Sequence, residues 1–250
     1  MHARRLYAHR GAAAELPENT MPAFERAIEI GVDALEMDVQ LTRDGQLVVA
    51  HDDSCARTTG AQLAWADLDL ADAQRLDAGW GFVAPDGTRP FAGKAIAAPT
   101  FAEVLDAFPA MRINVDLKGR SVEAMLALVK ARRAEDRVTL ASFQLRTVVE
   151  IRRRGYGGET ALSQHEVASL LALPALLWRQ LPFTGTAAQV PTHAGRIRLD
   201  RAAFIAKCHS LGLRVDFWTI DDRAEAARLL ELGADGIITN DPRALKSLFT

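Results

Sequence analysis

Residues 32–53 read VDALEMDVQLTRDGQLVVAHDD, and the strand count of the whole chain turns on them. ALEMDV at 34–39 has the composition of a strand, and so does QLVVAH at 46–51. Between them stands TRDG, 42–45. Asp-Gly between two such runs signals a hairpin, and the link is far too short for the crossover that parallel strands require. The second run therefore folds back on the first and adds no strand to a parallel sheet. Charge also sits where a buried strand should be apolar. Glu36 and Asp38 are two apart, so they share one face, and the hairpin sets His51 roughly beside Glu36.

Outward from this hairpin, strand-like runs at 5–9, 34–39, 112–117, 138–142, 159–163, 186–190, 213–219 and 235–239 alternate with helical patterns. The helices fall at 21–30, 100–108, 121–134, 145–154, 166–179, 200–211, 222–232 and 241–249. Strand alternating with helix makes βαβ units and a parallel sheet. Eight strands in 250 residues predict an α/β fold of the (β/α)8 TIM-barrel type, one domain over 1–250. A small insertion follows the second barrel strand and its hairpin. It covers 52–99 and contains DAGWGFVAPDGTRPFAGKA. An irregular segment of this kind at a barrel mouth is expected to cap it and to bear on specificity, with Trp80 and Phe82 the first candidates.

The charge on the strands is not a demand of the scaffold. EIGVDALEMD (29–38) resembles ELGADGIITN (231–240), each a helix end, a Gly cap and a strand. Where the second copy has Ile238 and Asn240, the first has Glu36 and Asp38. In RINVDL (112–117) and the next residue, Ile113, Val115 and Leu117 take one face, and Asn114, Asp116 and Lys118 the other. The apolar face must meet the helices, so the polar face points into the barrel, near the strand ends where barrel sites are built. A lone buried carboxylate reads best as an ion pair with a neighbouring Lys or Arg. Three converging on one mouth beside two histidines call for a cation, and carboxylate-only ligands favour Mg²⁺ or Ca²⁺.

Composition narrows the function. The chain is 49% hydrophobic and 25% charged with a net charge of −2 and no basic block, so nucleic acid is not an expected partner. Cys55 and Cys208 stand in no metal spacing and read as free thiols of a reducing compartment. No signal-peptide pattern opens the chain. VASLLALPALLW (167–178) is shorter than the roughly 20 residues a membrane span needs. The expected location is cytoplasmic, without stable membrane insertion.

Taken alone, His9 in AHRG (8–11) reads as a core histidine, Arg10 as a surface cation, Asn19 or Thr20 as a helix cap and Glu18 as a first-turn charge. Together with PENTMPAFERAIEIGVDALEMDVQLTRDGQLVVAHDD (17–53) they carry a resemblance. It continues through RTTG (57–60), LDAG (76–79), NVDLKG (114–119), FWTIDD (217–222) and GADGIITNDP (233–242). This ordered set resembles the glycerophosphodiester phosphodiesterases over essentially the whole chain.

The resemblance implies a metal-dependent enzyme that cuts a glycerophosphodiester to sn-glycerol 3-phosphate and an alcohol. His9 and His51 look like its general acid/base pair. Arg10 and Lys118 look like the groups that grip the phosphate, and Glu36, Asp38 and Asp116 like the ligands of one divalent ion, Mg²⁺ or Ca²⁺. Glu18 looks like a residue that reaches the metal or phosphate, and Trp218 like the aromatic of the barrel mouth. Asp116 departs from the family's usual Glu. Its shorter side chain implies either a displaced ion or a bridging water, and Gly119 just beyond it should leave the strand end adjustable.

Rival readings differ in what they need. A related barrel of lysophospholipase D or phosphatidylinositol phospholipase type wants an apolar rim on the insertion, where Phe82 and Phe91 either supply it or pack the lid. A non-catalytic barrel that binds a phosphorylated ligand would have lost His9, His51 or a carboxylate. An aldolase-type barrel wants a Schiff-base lysine in an apolar pocket, and Lys118 sits among carboxylates.

Overall fold

The structure, a computed structural model, describes residues 2–118, 121–178, 180–181 and 184–249. Gly119 and Arg179, the latter closing the predicted helix 166–179, lie outside the described residues. The strands are β1 (Arg5–His9), β2 (Ala34–Leu41), β3 (Leu47–Val49), β4 (Arg112–Leu117), β5 (Val138–Ala141) and β6 (Ala187–Val190). They continue with a short ribbon of β7 (His193–Ala194) and β8 (Ile197–Arg198), then β9 (Arg214–Phe217) and β10 (Gly236–Thr239). Seven of them form one curled parallel sheet in the order β5-β4-β2-β1-β10-β9-β6. The chain folds as a (β/α)8 barrel.

Closure between β5 and β6 is made by a degenerate eighth strand. The expected strand 159–163 survives only as two bridges, Leu140 to Thr160 and Ala161 to Ala187. Four backbone hydrogen bonds carry it: Leu140 N–H to Glu159 O and Ala161 N–H to Leu140 O, each at 3.0 Å, on one side, and Leu162 N–H to Ala187 O and Thr186 N–H to Thr160 O, each at 2.8 Å, on the other. Ser163 already caps the next helix with a full capping box, which leaves the segment little length to pair.

Alternation in β2 and β4 sorts the side chains as their sequences predict. Leu35, Met37, Val39, Ile113, Val115 and Leu117 enter the main core beneath the helices. Glu36, Asp38, Asn114 and Asp116 are equally buried on the opposite, inward face. β3 pairs only with β2, antiparallel, so it is no ninth barrel strand. Its register sets Val39 against Val49, and Ala50 N–H donates to Asp38 O at 2.9 Å. His51 therefore falls one residue out of step with Glu36, not level with it, because β2 runs on to Leu41 before turning.

The helices are α1 (Met21–Ile30), α2 (Ala56–Thr59), α3 (Leu70–Ala73), α4 (Phe101–Ala107), α5 (Val122–Ala131) and α6 (Leu145–Arg153). They continue with α7 (Gln164–Ala172), α8 (Ala175–Trp178), α9 (Ala202–Ser210), α10 (Arg223–Glu231) and α11 (Pro242–Leu245). Pro174 divides the predicted helix 166–179 into α7 and α8, since it brings no N–H and crowds the preceding turn. Among the described residues no helix is long and apolar enough to cross a membrane. The 52–99 insertion holds α2 and α3 and packs Cys55, Trp65, Ala73 and Ala98 into a small core of its own with Val48 and Ala50.

The turn after β1 aims the first site residues. Arg10 and Gly11 both take positive φ, 56° and 83°. A Cβ on Gly11 would stand 2.7 Å from the backbone carbon of Ala23 at the start of α1, so only glycine fits. Gly11→Ala is expected to cost about 1–3 kcal/mol, read as a lower urea midpoint. A midpoint equal to wild type would show that the turn relaxes freely.

Candidate active site

The parallel ladder brings the predicted residues together. His9 ends β1 directly beside Glu36 of β2. Asp38 stands beside Asp116 of β4. One cavity of about 550 Å³ at this mouth is lined by His9, Arg10, Glu36, Asp38, His51, Asp116, Lys118 and Trp218. Glu18 is not in that lining. It stands behind Arg10 and holds its Nη1 at 2.9 Å.

The two histidines are held alike. His9 Nδ1 meets Asn240 Oδ1 at 2.7 Å, and its Nε2 lies 3.9 Å from Glu36 Oε2. Burial first, and then the charge of Arg10, push His9 below the ordinary imidazole pKa. His51 Nδ1 meets Asp52 Oδ1 at 2.6 Å.

The floor is acidic. Burial, then the neighbouring Asp38, raise Glu36 well above the usual carboxylate range. Burial lifts Asp116 to about 6 although Lys118 opposes it. Lys118 Nζ stands 3.1 Å from Asp38 Oδ1 and also donates to Asp116 Oδ2. Burial alone would lower its pKa, but Asp116 and Asp38 outweigh burial and raise it. Asp116 is thus paired with a nearby cation, Lys118, the arrangement expected of a lone buried carboxylate and not of the metal site that the three together call for. Arg10 Nε lies 3.3 Å from Asp38 Oδ2, while its backbone N–H donates to Glu36 O at 2.9 Å.

Do these residues fit a divalent ion? Among the described residues Asp38 Oδ2 and Asp116 Oδ1 are buried without a hydrogen-bond partner, the former with Arg10 Nε beside it as an ion pair only, an arrangement that costs free energy unless something further meets them. The donors are all carboxylate oxygens, which suits a hard cation. Among the described residues no three His, Cys, Asp or Glu side chains are already closed around a common point, and Lys118 sits between two of the carboxylates. The residues fit by donor type and by their unmet oxygens.

Four residues that join this site were not singled out from the sequence. Arg57 Nε meets Asp52 Oδ2 at 2.6 Å, and its two terminal nitrogens meet Glu18 at 2.6 and 2.9 Å. Asn240, with Asp221 behind it at 2.8 Å, supports His9. Signals existed: Asp52 follows His51, Arg57 opens the RTTG motif, and Asn240 is the repeat's counterpart of Asp38. Phe82 and Phe91 pack edge-on with ring centres 5.1 Å apart, and Arg89 lies 4.1 Å over the Trp80 ring. None of the three aromatic residues lines the cavity.

Comparison with known proteins places the chain in an enzyme class. The profile of the glycerophosphoryl diester phosphodiesterase family matches residues 9–244. A glycerophosphodiester phosphodiesterase of Caldanaerobacter subterraneus subsp. tengcongensis is 32% identical, with 96% of each chain covered. Among solved structures, a glycerophosphoryl diester phosphodiesterase domain from Mycobacterium tuberculosis superimposes with a TM-score of 0.86 at 21% identity, covering 99% of this chain and 100% of that one. An Oleispira antarctica phosphodiesterase, solved with the product sn-glycerol-3-phosphate, gives 0.79 at 22% identity, covering 98% and 96%. The chain belongs to the glycerophosphoryl diester phosphodiesterase family, and it is an enzyme of the phosphodiesterase class.

The raised carboxyl of Asp116 has a consequence for stability. Its proton is held more tightly in the folded chain, with a pKa of about 6, than in the unfolded one, at about 3.9. Its contribution is therefore fullest below about pH 4 and is lost as pH rises through about 6. Glu36 acts in the same direction. With chelator present, melting temperature should fall between about pH 4 and 6, and Asp116→Asn should flatten that fall. An equally steep fall in the variant would remove Asp116 from the account.

Proposed function

We propose that the protein hydrolyses glycerophosphodiesters to sn-glycerol 3-phosphate and an alcohol, with His9 and His51 as the acid/base pair and a divalent ion at Glu36, Asp38 and Asp116. The observation that carries this reading is the single cavity in which two imidazoles, two cations and three buried carboxylates meet.

A phosphodiester is an anion and resists attack, so charge must be neutralised as it builds on the phosphoryl oxygens. Arg10 supplies a guanidinium whose direction is fixed by Glu18 and by its own left-handed backbone. Lys118 adds an ammonium at the edge of the carboxylate group. An ion of the Mg²⁺ or Ca²⁺ kind, held by Glu36 and Asp38 and by Asp116 directly or through water, would polarise the phosphoryl oxygens. One histidine takes a proton from the attacking hydroxyl and the other gives one to the leaving alkoxide. Trp218, set edge-on to Phe143 with ring centres 5.7 Å apart, forms an aromatic wall. The 52–99 segment borders this mouth on the His51 side through Asp52 and Arg57, and none of its residues lines the cavity. Two buried free thiols, Cys55 and Cys208, support a reducing, cytoplasmic setting.

The direct experiment is release of glycerol 3-phosphate from a panel of head-group diesters. EDTA should abolish it and Mg²⁺ or Ca²⁺ should restore it. His9→Ala and His51→Ala should each lose about 10²–10⁴-fold in rate with the fold intact. Full turnover in metal-free protein, or a near-wild-type rate in either variant, sinks the corresponding assignment.

A second reading draws on the far wall of the same cavity. Phe143, Val167, Leu171, Ala194 and Ile197 line it, and Phe143 and Ile197 are exposed there although apolar. Val167 and Leu171 are four apart on α7 and share a face. Such a wall suits a hydrocarbon chain and favours the lysophospholipase D alternative, with its apolar surface on α7 and the β7–β8 ribbon. Choline release from a short-chain lysophosphatidylcholine should then exceed that from glycerophosphocholine, and Ile197→Asp should cut the ratio by about fourfold or more. A ratio unmoved by Ile197→Asp would make the wall plain scaffold.

A further inference from the structure

The 52–99 insertion meets the catalytic apparatus through Asp52, which touches His51, and through Arg57. Arg57, in the short helix α2, reaches back over the barrel mouth with its whole guanidinium. Its Nε donates to Asp52 Oδ2 at 2.6 Å. Its Nη1 and Nη2 donate to Glu18 Oε2 at 2.6 Å and Oε1 at 2.9 Å. The other oxygen of Asp52 is 2.6 Å from His51 Nδ1, and Glu18 Oε1 also accepts from Arg10 Nη1 at 2.9 Å. The result is an unbroken line of contacts, His51–Asp52–Arg57–Glu18–Arg10. It joins the end of the hairpin to the end of β1, which are neighbours in space and far apart in sequence.

We propose that Arg57 is a positioning residue that fixes His51 and Arg10 relative to each other, so that the insertion acts on the reaction through alignment of the acid/base and phosphate groups. The inference rests on the roles given above to His51 and Arg10.

Three features support it. The planar guanidinium makes one bond to Asp52 and a paired contact to both oxygens of Glu18 in fixed directions, a geometry that the point charge of a lysine does not reproduce. Asp52, with one oxygen taken by Arg57, keeps the other for His51 Nδ1, and so turns Nε2 of that ring away from the insertion. The insertion is also built tightly against the backbone that carries Arg57. A Cβ on Gly81, in the turn Ala78–Gly81, would stand 2.6 Å from Thr58 Cα and 2.7 Å from Arg57 O. The Arg57 side chain is 47% exposed, so its ion pairs add little to folding and their loss should appear in rate.

The test is a double-mutant cycle on glycerophosphodiester hydrolysis, with the tautomer of His51 as a second measurement. Arg57→Gln should lower kcat by about tenfold to a hundredfold, since small misplacements of reacting groups are costly. Arg57→Lys should recover only part of that loss. In the His51→Ala background the same Arg57→Gln change should lower kcat by less than about threefold, because the group it acts through is gone. Ring ¹⁵N shifts of His51 should report the Nδ1–H form in wild type and a mixture of tautomers in Arg57→Gln. A wild-type kcat in Arg57→Gln, a full multiplicative loss in the His51→Ala background, or an unchanged tautomer each overturns the proposal while the hydrolase reading stands. A wild-type rate in His51→Ala itself overturns the acid/base assignment, and the positioning role with it.

Discussion

Buried negative charge is the constraint on which the rest of this barrel depends. Glu36, Asp38 and Asp116 lie on adjacent strands, each almost fully removed from water. Carboxylates in such a place repel one another and lose their hydration, and either effect alone raises the cost of folding. Strand alternation leaves no escape. Turning these residues outward would turn Leu35, Met37, Val115 and Leu117 away from the helices that cover them. The chain answers by pointing cations at the same spot. Arg10 arrives from a left-handed turn made possible by Gly11, and Lys118 arrives two residues beyond Asp116 on the same face. Two cations do not balance three carboxylates, and among the described residues Asp38 Oδ2 and Asp116 Oδ1, neither with a hydrogen-bond partner, mark where the imbalance lies.

The tension also orders what surrounds it. A guanidinium pulled toward Asp38 needs a second anchor to keep its direction, and Glu18 provides one at 2.9 Å. Glu18, itself mostly buried, needs more than Arg10. Burial works to raise its pKa, but Arg57 and Arg10 together more than reverse that and hold it low. Asp52 follows the same logic on the other side, where Arg57 and His51 overcome its burial. Charge placed on the floor for chemistry is thus compensated outward, one carboxylate and one guanidinium at a time, until the line reaches solvent at Arg57.

Much of this was legible in the sequence, and what was not has a physical reason. Alternation in ALEMDV and RINVDL assigns inward and outward faces because the pleat leaves no choice, and the Asp-Gly turn excludes a ninth barrel strand. The degenerate strand at 160–161 was overstated because composition reports the tendency to extend, whereas Ser163 had already committed the next residues to a helix. His51 falls near Glu36 as the hairpin implies, and its exact register, one residue off level, depends on where β2 ends, which nothing local fixes at Leu41. Arg57 was invisible as a partner of Glu18 since 39 positions separate them and only the fold brings them together.

The internal repeat gives a further step. Asn240 occupies in the second copy the place that Asp38 holds in the first, and it uses that place to support His9. Its Nδ2 donates to Asp221 Oδ2 at 2.8 Å, and an ionised carboxylate only accepts, so the amide has one orientation. Oδ1 must then face His9, and the 2.7 Å contact requires Nδ1 of the ring to be the donor. In the neutral ring Nε2 is left with its lone pair, on the side of Glu36 and the cavity. A carboxylate at 240 would have held the ring in the same pose but favoured its protonated form. The amide fixes orientation without adding charge, while burial and Arg10 both disfavour the imidazolium. The one scaffold unit therefore appears twice at the barrel mouth, once with a carboxylate that enriches the acidic floor, and once with an amide that orients His9 without adding charge.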